Sequence, residues 1–448
     1  MRFDDARLDR VYAAVADRSP GEQQFLAAVS EVFGSIGRLA DRAEEYLDPA
    51  LLETLCEPER QVIFRVPWED DEGVLRVNRG FRVEFNSALG PYKGGLRFNP
   101  SVNADVVKSL GFEQVFKNAL TGLAIGGGKG GSDFTPKGRS EHEIRRFCQS
   151  FMTELSRHIG PLTDVPAGDN GVGSREIGYL LGQYIRLTNS AGNGALTGKP
   201  VTVGGLAGRA EATGYGLVYF VERMLDAAGS KLAGATAVVS GAGAVSRPAI
   251  EKLTNAGARV LACSDTSGYV YEPDGIDVEL LYSVKSERRG SLADYAEQRP
   301  SAEHRNKGSV WEVECEIALP CATQNELDAE TARGLIDHGV RLVAEGANMP
   351  TTAQAVTMFT EAGVLFGPGK AANAGGVAVS AMEMRQNAQR EQFSAQEIDE
   401  SLSQIMREIH DSCAETAEEY GAPGDYLVGA NIAGFLRVVR AMQALGQV

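Results

Sequence analysis

The sequence predicts an α/β protein with two domains. Its 448 residues exceed one average domain of about 100–200 residues, so two or three domains are expected. From residue 235 the pattern reads strand, glycine turn, helix and strand, in ATAVVSGAGAVSRPAIEKL and then ARVLACSD. This order is typical of a parallel α/β unit. We therefore expect a first domain over 1–200, rejoined by a C-terminal helix over 425–448, and a second domain over 201–424.

The other elements follow from apolar periodicity. Helical spacing predicts an amphipathic helix near the N-terminus and another near the C-terminus. Alternation predicts two strands joined by a turn in EDDEG, while residues 100–200 read as mixed helix and glycine-rich loop. A further helix is expected in EATGYGLVYFVERML. The residues that carry these patterns are Phe25, Leu26, Val29, Val32, Phe33 and Ile36, then Val62, Phe64, Val66, Trp68, Phe81, Val83 and Phe85, and finally Ile432, Phe435, Val439 and Met442.

Charge and composition argue against a nucleic-acid or membrane partner. The net charge is −16, whereas a phosphate backbone or an anionic membrane requires a basic surface. No run of about 18 apolar residues is present to span a bilayer. The first ten residues, MRFDDARLDR, are polar and acidic, so we expect neither a secretory signal nor a transit peptide.

Cysteine and histidine usage indicates a cytoplasmic protein without a metal site. The six cysteines form no CxxC pair, and the five histidines show no HxxxH spacing. There is also no GxSxG motif to position a serine nucleophile.

Lys129 stands in AIGGGKGGSDF, with three glycines before it and two after. Glycine costs roughly 0.5–1 kcal/mol relative to alanine in regular structure, so such a run is tolerated where backbone turns sharply or approaches something closely. The stretch therefore predicts either a loop or a functional site.

A second glycine motif indicates a Rossmann-like dinucleotide-binding turn. Residues 241–246, GAGAVS, fit the G-x-G-x-x-(small) pattern, with Gly241 allowing a tight turn and Gly243 a close approach of backbone to a pyrophosphate. Ala244, Val245 and Ser246 complete the motif. Asp265 lies 24 residues after Gly241, near the position expected for a ribose-binding carboxylate. A turn with a purely structural role is the alternative.

Other charged residues occur in apolar or glycine-rich surroundings. Lys93 lies in PYKGGLRF, Gln114 and Lys117 share a helix face in GFEQVFKNAL, and Asp169 lies in DVPAGDNGVGSREIG. Any one of these lysines also fits a solvated side chain. Together with Lys129, three lysines and one carboxylate among glycines suit a small, water-poor pocket better than a surface.

Nine motifs follow one another along the chain: PYKGGLRF, GFEQVFKNAL, GGGKGGSDF, DVPAGD, RAEATGYG, ALPCATQNELD, EGANMPTT, PGKAANAGGVAVSAMEM and GANIAGF. Taken in this order, they resemble hexameric glutamate dehydrogenases of the small-subunit type, and the resemblance runs from about residue 58 to the C-terminus. It implies an α/β fold with an N-terminal substrate and assembly domain, a Rossmann-like dinucleotide-binding domain and an active site in the cleft between them. It also implies a homohexamer in amino-acid metabolism, including ammonia assimilation, that converts L-glutamate reversibly to 2-oxoglutarate and ammonium with a nicotinamide cofactor.

The resemblance also implies the substrate contacts. A dicarboxylic amino acid needs two anion sites, and a lysine in each can donate a charge-assisted hydrogen bond. Lys117 with Gln114 would bind the α-carboxylate, and Lys93 with Ser380 would bind the side-chain carboxylate.

Lys129 and Asp169 match the family's catalytic pair. Burial lowers the pKa of a lysine, by up to ~3–5 units when it is complete, so that the amine can act as a base near neutral pH. The surrounding glycines would let backbone and substrate crowd Lys129 and exclude water.

Cofactor preference depends on several residues. Asp265 alone suggests NAD, but SDTSG (264–268) looks like the version found in NADP-preferring members. We therefore expect NADP, with NAD as the alternative. The further residues that the resemblance assigns to the cofactor are Ser264, Thr213 and Asn348, with the cations Lys137, Lys285 and Arg288 near the extra phosphate.

Some positions depart from the family pattern. Ala244 replaces the usual asparagine, which would weaken contact with the cofactor or tune the preference between cofactors. Leu206 and Ala210 replace the usual serine and proline.

Two other functions remain open. A branched-chain or aromatic amino-acid dehydrogenase should carry an apolar residue in place of Lys93. An inactive ligand-binding homologue would be signalled by loss of the catalytic pair, which is present.

Overall fold

In a computed structural model, the described residues are 3, 5–190 and 193–446, and the last two residues of the expected C-terminal helix lie outside them. The chain forms two compact units. Unit 1 comprises the chain up to Ala207, Val377–Ile398 and the residues from Asn431 onward, and unit 2 comprises Gly208–Gly376 and Asp399–Ala430. The sequence-based division assigned residues 377–398 to the second domain. In the structure they belong to unit 1, where Glu383 forms a buried ion pair with Lys199.

Unit 1 is built on a five-stranded mixed sheet of order β1-β2-β4-β3-β5. The antiparallel pairs β1–β2 and β2–β4 are followed by the parallel pairs β3–β4 and β3–β5. The expected strands over 62–68 and 81–85 are confirmed as β1 and β2. Burial alternates at the end of β1, where Val66 and Trp68 enter the core, whereas β2 is buried at every position from residue 80 to residue 86. The strands are β1 (Arg60–Glu69), β2 (Leu75–Asn86), β3 (Tyr92–Phe98), β4 (Gly126–Ser132) and β5 (Asp164–Gly168).

The helices of unit 1 begin at residues that suit helix starts. Asn103 accepts a hydrogen bond from the Val106 amide at one start, and Ser140 with Glu143 forms a capping box at another. The expected N-terminal amphipathic helix is confirmed as α2. The helices are α1 (Ala6–Arg18), α2 (Gln23–Ile36), α3 (Pro49–Cys56), α4 (Ala104–Leu120), α5 (Glu141–Leu155) and α6 (Ser174–Thr188), with short 3₁₀ turns at Gly37–Asp41, Glu44–Leu47, Asn193–Ala195 and Val201–Val203.

The glycine-rich stretch around Lys129 is a strand and not a loop, so the loop alternative was wrong. It forms β4, which pairs on both sides within the sheet. Glycine is required at two positions because neighbouring elements approach the backbone closely. A Cβ at Gly127 would lie 2.4 Å from a methyl carbon of Val115 on α4, and one at Gly130 would lie 2.7 Å from a methyl carbon of Leu96 on β3. Close packing of both α4 and a neighbouring strand therefore explains the composition.

Unit 2 contains a seven-stranded sheet of order β12-β11-β10-β6-β7-β8-β9. The strands from β12 to β7 are parallel, and β8 and β9 extend the sheet in antiparallel fashion. The predicted strand–turn–helix–strand unit is confirmed as β6, α8 and β7. The strands are β6 (Thr236–Val239), β7 (Arg259–Asp265), β8 (Gly268–Tyr271), β9 (Glu303–Arg305), β10 (Ile317–Leu319), β11 (Leu342–Ala344) and β12 (Leu365–Gly367).

Helices cover the sheet of unit 2, and three more complete the chain. They are α7 (Ala212–Ala227), α8 (Ser246–Asn255), α9 (Val278–Tyr282), α10 (Leu292–Gln298), α11 (Ala329–Asp337), α12 (Ala353–Glu361) and α13 (Gly369–Ala372), with a π-helical turn at Ser283–Glu287 and a 3₁₀ turn at Val310–Glu312. The last three are α14 (Gly375–Gln389), α15 (Ala395–Glu419) and α16 (Tyr426–Ala444). The expected helices in 211–225 and near the C-terminus are confirmed as α7 and α16. Among the described residues, no helix is long and apolar enough to cross a membrane.

Candidate active site

Three of the predicted site residues lie on one face of the sheet in unit 1. Lys93 is on β3, Lys129 is on β4, and Asp169 directly follows β5. In the parallel register, Lys93 is opposite Gly127 on one side and Val165 on the other. Because side chains alternate between faces along a strand, Lys93, Lys129 and Asp169 project to the same side.

The ammonium group of Lys129 forms an ion pair with Oδ2 of Asp169. The Lys129 side chain is 6% exposed and that of Asp169 is 16% exposed, so the pair is largely shielded from water. The other carboxylate oxygen, Oδ1, accepts a hydrogen bond of 2.6 Å from the Asn170 amide. The predicted catalytic residues are therefore in direct contact.

Burial and neighbouring charges shift the pKa values of both groups. Burial lowers the pKa of Lys129, the charge of Asp169 raises it and the charge of Arg97 lowers it again; the net pKa lies below its ordinary value. Burial alone would raise the pKa of Asp169, but the charges of Lys129 and Arg97 outweigh it, and the net pKa is well below the usual range. Asp169 therefore stays ionised, and Lys129 gives up its proton more easily than a solvated lysine.

Arg97 is a site residue that the sequence reasoning missed. Its Nη2 lies 3.6 Å from Oδ1 of Asp169, so that two cations flank this carboxylate. The buried Nε of Arg97 has no hydrogen-bond partner among the described residues. A signal was present, because Lys93 and Arg97 are four residues apart on one strand and must share a face.

Thr197, which contacts the buried Lys93, is after Arg97 the second residue that the sequence did not reveal. Lys93 is 2% exposed, and its Nζ donates a hydrogen bond of 2.8 Å to Oγ1 of Thr197. Thr197 is itself held by its amide, which donates to the carbonyl of Pro166 in β5 at 3.0 Å. No local pattern marks Thr197, since the contact joins positions 104 residues apart.

Helix α4 packs on the same sheet face and carries Gln114 and Lys117. The contact between Gly127 and Val115 defines the side on which α4 lies. Gln114 is buried and donates 2.7 Å to Oδ1 of Asn118, and Asn118 in turn donates 2.9 Å to the carbonyl of Lys93. Lys117 is partly exposed in the last turn of the helix. The structure therefore brings α4 and the strand of Lys93 together through side-chain hydrogen bonds.

Ser380 lies on α14 in unit 1 and is 2% exposed. Three residues further along, Glu383 accepts a 2.9 Å hydrogen bond from the amide of Gly198, next to Thr197. Helix spacing puts Ser380 and Glu383 on one face of α14. The segment that touches Lys93 and the helix that carries Ser380 are thus attached to each other.

The predicted dinucleotide turn lies after the first parallel strand of unit 2. Gly241 has a φ of +81°, a conformation that L side chains rarely adopt. Its amide donates 2.8 Å to Oγ of Ser264, and the amide of Gly243 donates 2.7 Å to Oγ of Ser246. Ser246 begins α8, preceded by Ala244 and Val245, so the unsatisfied amides of a helix N-terminus are available beside the turn.

Asp265, at the end of β7, is saturated by protein partners. Oδ2 accepts from Nζ of Lys285 at 2.7 Å and from the Leu292 amide at 2.9 Å. Oδ1 accepts from the amide and hydroxyl of Ser267, at 2.8 and 2.6 Å. Burial opposes ionisation, but Lys285 and Ser267 outweigh it and lower the pKa of Asp265. The carboxylate that would repel a phosphate is thus neutralised by Lys285.

The remaining cofactor candidates fall into two groups. In unit 2, Arg288 is exposed and donates 2.8 Å to Gln298, Asn348 is exposed in the loop after β11, and Thr213 is partly buried at the start of α7. Lys137 is exposed in a loop of unit 1. The structure therefore does not join Lys137 with Lys285 and Arg288 in a single unit.

These residues fit a nicotinamide dinucleotide. The turn follows β6, Ser264 is the penultimate residue of β7, and Asn348 lies in the loop after β11. All three are at the carboxyl edge of the parallel sheet, where open α/β sheets bind ligands. A Cβ at Gly243 would meet nothing within 4 Å, so the turn is open for the approach of a phosphate. Over the described parts of the chain, no group of three or more His, Cys, Asp or Glu side chains is arranged to hold a metal.

Comparison with known proteins covers nearly the whole chain. The chain is 52% identical to an NADP-specific glutamate dehydrogenase of Helicobacter pylori over 446 residues, which covers 98% of this chain and 99% of the relative. The crystal structure of Plasmodium falciparum glutamate dehydrogenase matches with a TM-score of 0.96 at 50% identity, covering 99% of this chain and 95% of that one. A hetero-hexameric glutamate dehydrogenase from Thermus thermophilus matches with a TM-score of 0.81 at 29% identity, over 91% of this chain and 97% of that one.

Family profiles match both parts of the chain. The dimerisation domain of Glu/Leu/Phe/Val dehydrogenases matches residues 58–186, and the Glutamate/Leucine/Phenylalanine/Valine dehydrogenase profile matches residues 204–446. These matches span most of the chain and agree with the sheet face of unit 1 and the glycine turn of unit 2. The chain belongs to the Glu/Leu/Phe/Val dehydrogenase family.

Proposed function

We propose that this protein is an NADP-dependent glutamate dehydrogenase, an oxidoreductase acting on the CH–NH₂ group, which converts L-glutamate reversibly to 2-oxoglutarate and ammonium. The observation that carries the choice of substrate is the buried ammonium group of Lys93 beside Thr197, on the sheet face of Lys129 and Asp169. A buried cation beside a hydroxyl group suits the side-chain carboxylate of a dicarboxylic substrate, whereas the side chains of leucine, valine and phenylalanine carry no anionic group to bind there.

The substrate is bound by two cationic subsites. Lys93 and Ser380 bind the side-chain carboxylate, and Thr197 orients Lys93 for this contact. Lys117 and Gln114 bind the α-carboxylate from α4. Two separated cations fix both ends of the substrate, and this leaves Cα near the Lys129–Asp169 pair.

Lys129 and Asp169 carry out the proton transfers. The bound dinucleotide supplies the hydride acceptor for the hydrogen on Cα. With its lowered pKa, Nζ of Lys129 takes a proton from the water that attacks Cα of the oxidised substrate. Asp169 then relays this proton from Lys129 to the amine nitrogen. The nitrogen leaves as ammonia while the new hydroxyl group gives its proton to Lys129 and becomes the carbonyl of 2-oxoglutarate. Arg97 helps to keep Asp169 ionised.

The residues of unit 2 support NADP. The turn over 241–246 and Asn348 would hold the pyrophosphate and nicotinamide side, with Thr213 close by. Ser264, Lys285 and Arg288 would meet the 2′-phosphate, and the role of Lys137 stays a prediction from the sequence. The pairing of Lys285 with Asp265 removes the charge repulsion that an aspartate at this position would otherwise cause. The name of the Helicobacter pylori relative, NADP-specific glutamate dehydrogenase, supports the same choice.

The assembly is a homohexamer in the cytoplasm. The family's dimerisation-domain profile and the hetero-hexameric Thermus thermophilus structure support a closed oligomer of six subunits. The six cysteines are unpaired in the structure, which suits a reducing compartment. Light scattering at micromolar concentration checks the assembly, and a monomer would contradict it.

One assay tests the function. The purified protein is incubated with 2-oxoglutarate, ammonium and NADPH or NADH, and loss of reduced-cofactor absorbance is followed. Turnover with NADPH at a higher kcat/KM than with NADH is expected. A kcat/KM with NADH equal to or higher than that with NADPH would indicate instead that the protein is an NAD-dependent member of the family. Cofactor binding without turnover of any amino acid would indicate an inactive homologue.

A further inference from the structure

A fully buried ion pair beside the proposed substrate pocket is not used by the mechanism above. Nζ of Lys199 lies 2.6 Å from Oε1 of Glu383, and both side chains are 0% exposed. Removing two charges from water is costly and is offset only by good geometry with further hydrogen bonds. Hydrophobic residues of similar size would often stabilise a fold equally well. The pair therefore calls for a role other than stability.

The pair joins two chain segments, each of which carries a pocket residue. Glu383 accepts hydrogen bonds from the amides of Gly198 at 2.9 Å and Lys199 at 3.4 Å, directly after Thr197. Lys199 also donates 2.5 Å to the carbonyl of Leu196, directly before Thr197. The backbone on both sides of Thr197 is thus bonded to this one ion pair.

Two further side chains of α14 form hydrogen bonds with the segment that follows Lys199. Gln386 donates 3.3 Å to the carbonyl of Gly205, and Asn387 donates 2.9 Å to the carbonyl of Gly204. Ser380, Glu383 and Asn387 follow helical spacing and form one stripe toward residues 196–205. Glu383 is the charged member of this stripe and lies nearest in sequence to Ser380.

We propose that Lys199 and Glu383 are positioning residues that set the distance between Thr197 and Ser380, and thereby the fit of the pocket to the substrate's side-chain carboxylate. The inference rests on the proposed function, since it concerns the subsite of Lys93 and Ser380. Neither residue touches substrate. Both act by holding the segment of Thr197 and the helix of Ser380 at a fixed distance from each other.

The test replaces both charges at once, Lys199→Met with Glu383→Leu, so that no unpaired charge stays buried. The KM for glutamate and for 2-oxoglutarate should rise by about tenfold or more, because displacement of a binding group by about 1 Å can cost up to ~10²-fold. The kcat should change much less than KM, and the KM for NADPH should stay near wild type. The preference for glutamate over norvaline should fall.

The control removes another ion pair of unit 1, in which the lysine is buried and the glutamate is partly exposed. Lys108 lies 2.7 Å from Glu22, with side chains 4% and 24% exposed. Lys108→Met with Glu22→Gln should change the melting temperature while leaving the KM for glutamate unchanged. A merely structural role for Lys199 and Glu383 predicts that both double variants behave alike.

A folded Lys199→Met/Glu383→Leu variant with wild-type KM for glutamate would overturn the inference, as would a loss confined to kcat. If that variant does not fold, Glu383→Asp keeps both charges but withdraws the carboxylate by one methylene. It should raise the KM for glutamate by several-fold at normal KM for NADPH, and an unchanged KM would again count against the proposal. Absence of glutamate turnover in the wild type would instead reject the proposed function.

Discussion

Lys129 and Asp169, forty residues apart, form an ion pair on one face of the sheet, although each lies on a different strand or at its end. Parallel pairing of β3 with both β4 and β5 produces this contact, since it brings the central residues of β4 level with the end of β5 on the two sides of β3. The pair combines an ammonium group whose pKa is lowered with a carboxylate that stays ionised. The first two predictions test this pair.

Lys129→Ala should lower kcat by at least ~10²-fold, the low end for general acid–base catalysis. The side chain supplies the proposed base, and its loss leaves Asp169 with Arg97 and the Asn170 amide as partners. Assembly and NADPH binding should persist, as measured by light scattering and cofactor fluorescence. Lys231→Ala, at an exposed lysine of unit 2, is the control. Near-normal turnover of the Lys129 variant would mean that another group is the base.

Arg97→Gln should move the acid limb of the pH profile of glutamate deamination to higher pH. The neutral amine of Lys129 is the active form. Arg97 lowers the pKa of Lys129, so removing its charge raises that pKa. As the pH falls, the variant therefore loses activity at a higher pH than the wild type does. The acid limb of kcat/KM against pH, measured for the variant and the wild type, checks the direction of this shift.

The other charges around Lys129 act in the opposite direction to Arg97. Asp169 and Glu113 both raise the pKa of Lys129, and neither is changed in the variant. Arg79→Gln, at an exposed arginine on β2, should leave the profile unaltered. A profile of kcat/KM against pH that is superimposable for Arg97→Gln and wild type would show that Arg97 does not tune the pair.

Lys285→Gln should reduce kcat/KM for NADPH more than for NADH. The change removes a cation from the proposed phosphate site and leaves Asp265 without its neutralising partner. A hydrogen bond to a charged group is worth about 1.5–3 kcal/mol, which corresponds to about 10–150-fold. Lys307→Gln, at an exposed lysine in the same unit, should have no effect on either cofactor. Equal losses with both cofactors would argue against a phosphate contact.

Lys93→Leu combined with Ser380→Ala should shift preference toward monocarboxylic amino acids. A site built to hydrogen-bond a charged group discriminates by about 10⁴–10⁵ against analogues that lack it, because its own polar groups stay unpaired. Removing those groups removes that penalty. The comparison is kcat/KM for glutamate against norvaline, in wild type, both single variants and the double variant. A preference within about tenfold of wild type, or ~1.4 kcal/mol, would show that these residues do not read the side chain.

Gly127→Ala should destabilise the protein by about 1–3 kcal/mol, as overpacking commonly does. The new methyl carbon would lie 2.4 Å from Val115 and 2.7 Å from its Cα, so α4 must move. Gly182→Ala is the matched control, because that glycine lies inside α6 with nothing within 4 Å of the added carbon. It should be neutral or stabilising by up to about 1 kcal/mol. Thermal unfolding of both variants checks the contrast, and equal melting temperatures would contradict close packing at β4.

The sequence alone singled out the candidate site residues and determined the framework of the second domain. The strand–turn–helix–strand unit around Gly241 depends on neighbouring residues only, so local periodicity and glycine spacing were enough to predict it. Lys93, Lys129 and Asp169 were recognised because charge among glycine and apolar residues is unfavourable without a function. Local signals of this kind do not depend on what the remote chain does.

Only the tertiary structure decided how remote segments meet. GGGKGG forms a strand and not a loop because it pairs with β2 and β3. Its glycines are needed because α4 and the neighbouring strands leave no space for a Cβ at those positions, which local propensity does not predict. Thr197 reaches Lys93, and Glu383 reaches Lys199, through contacts over more than a hundred residues, so residues 377–398 join unit 1. Strand register likewise placed Arg97 beside Asp169. Sequence spacing reports which side of a strand or helix a residue occupies, whereas pairing register and packing decide which side chains face each other.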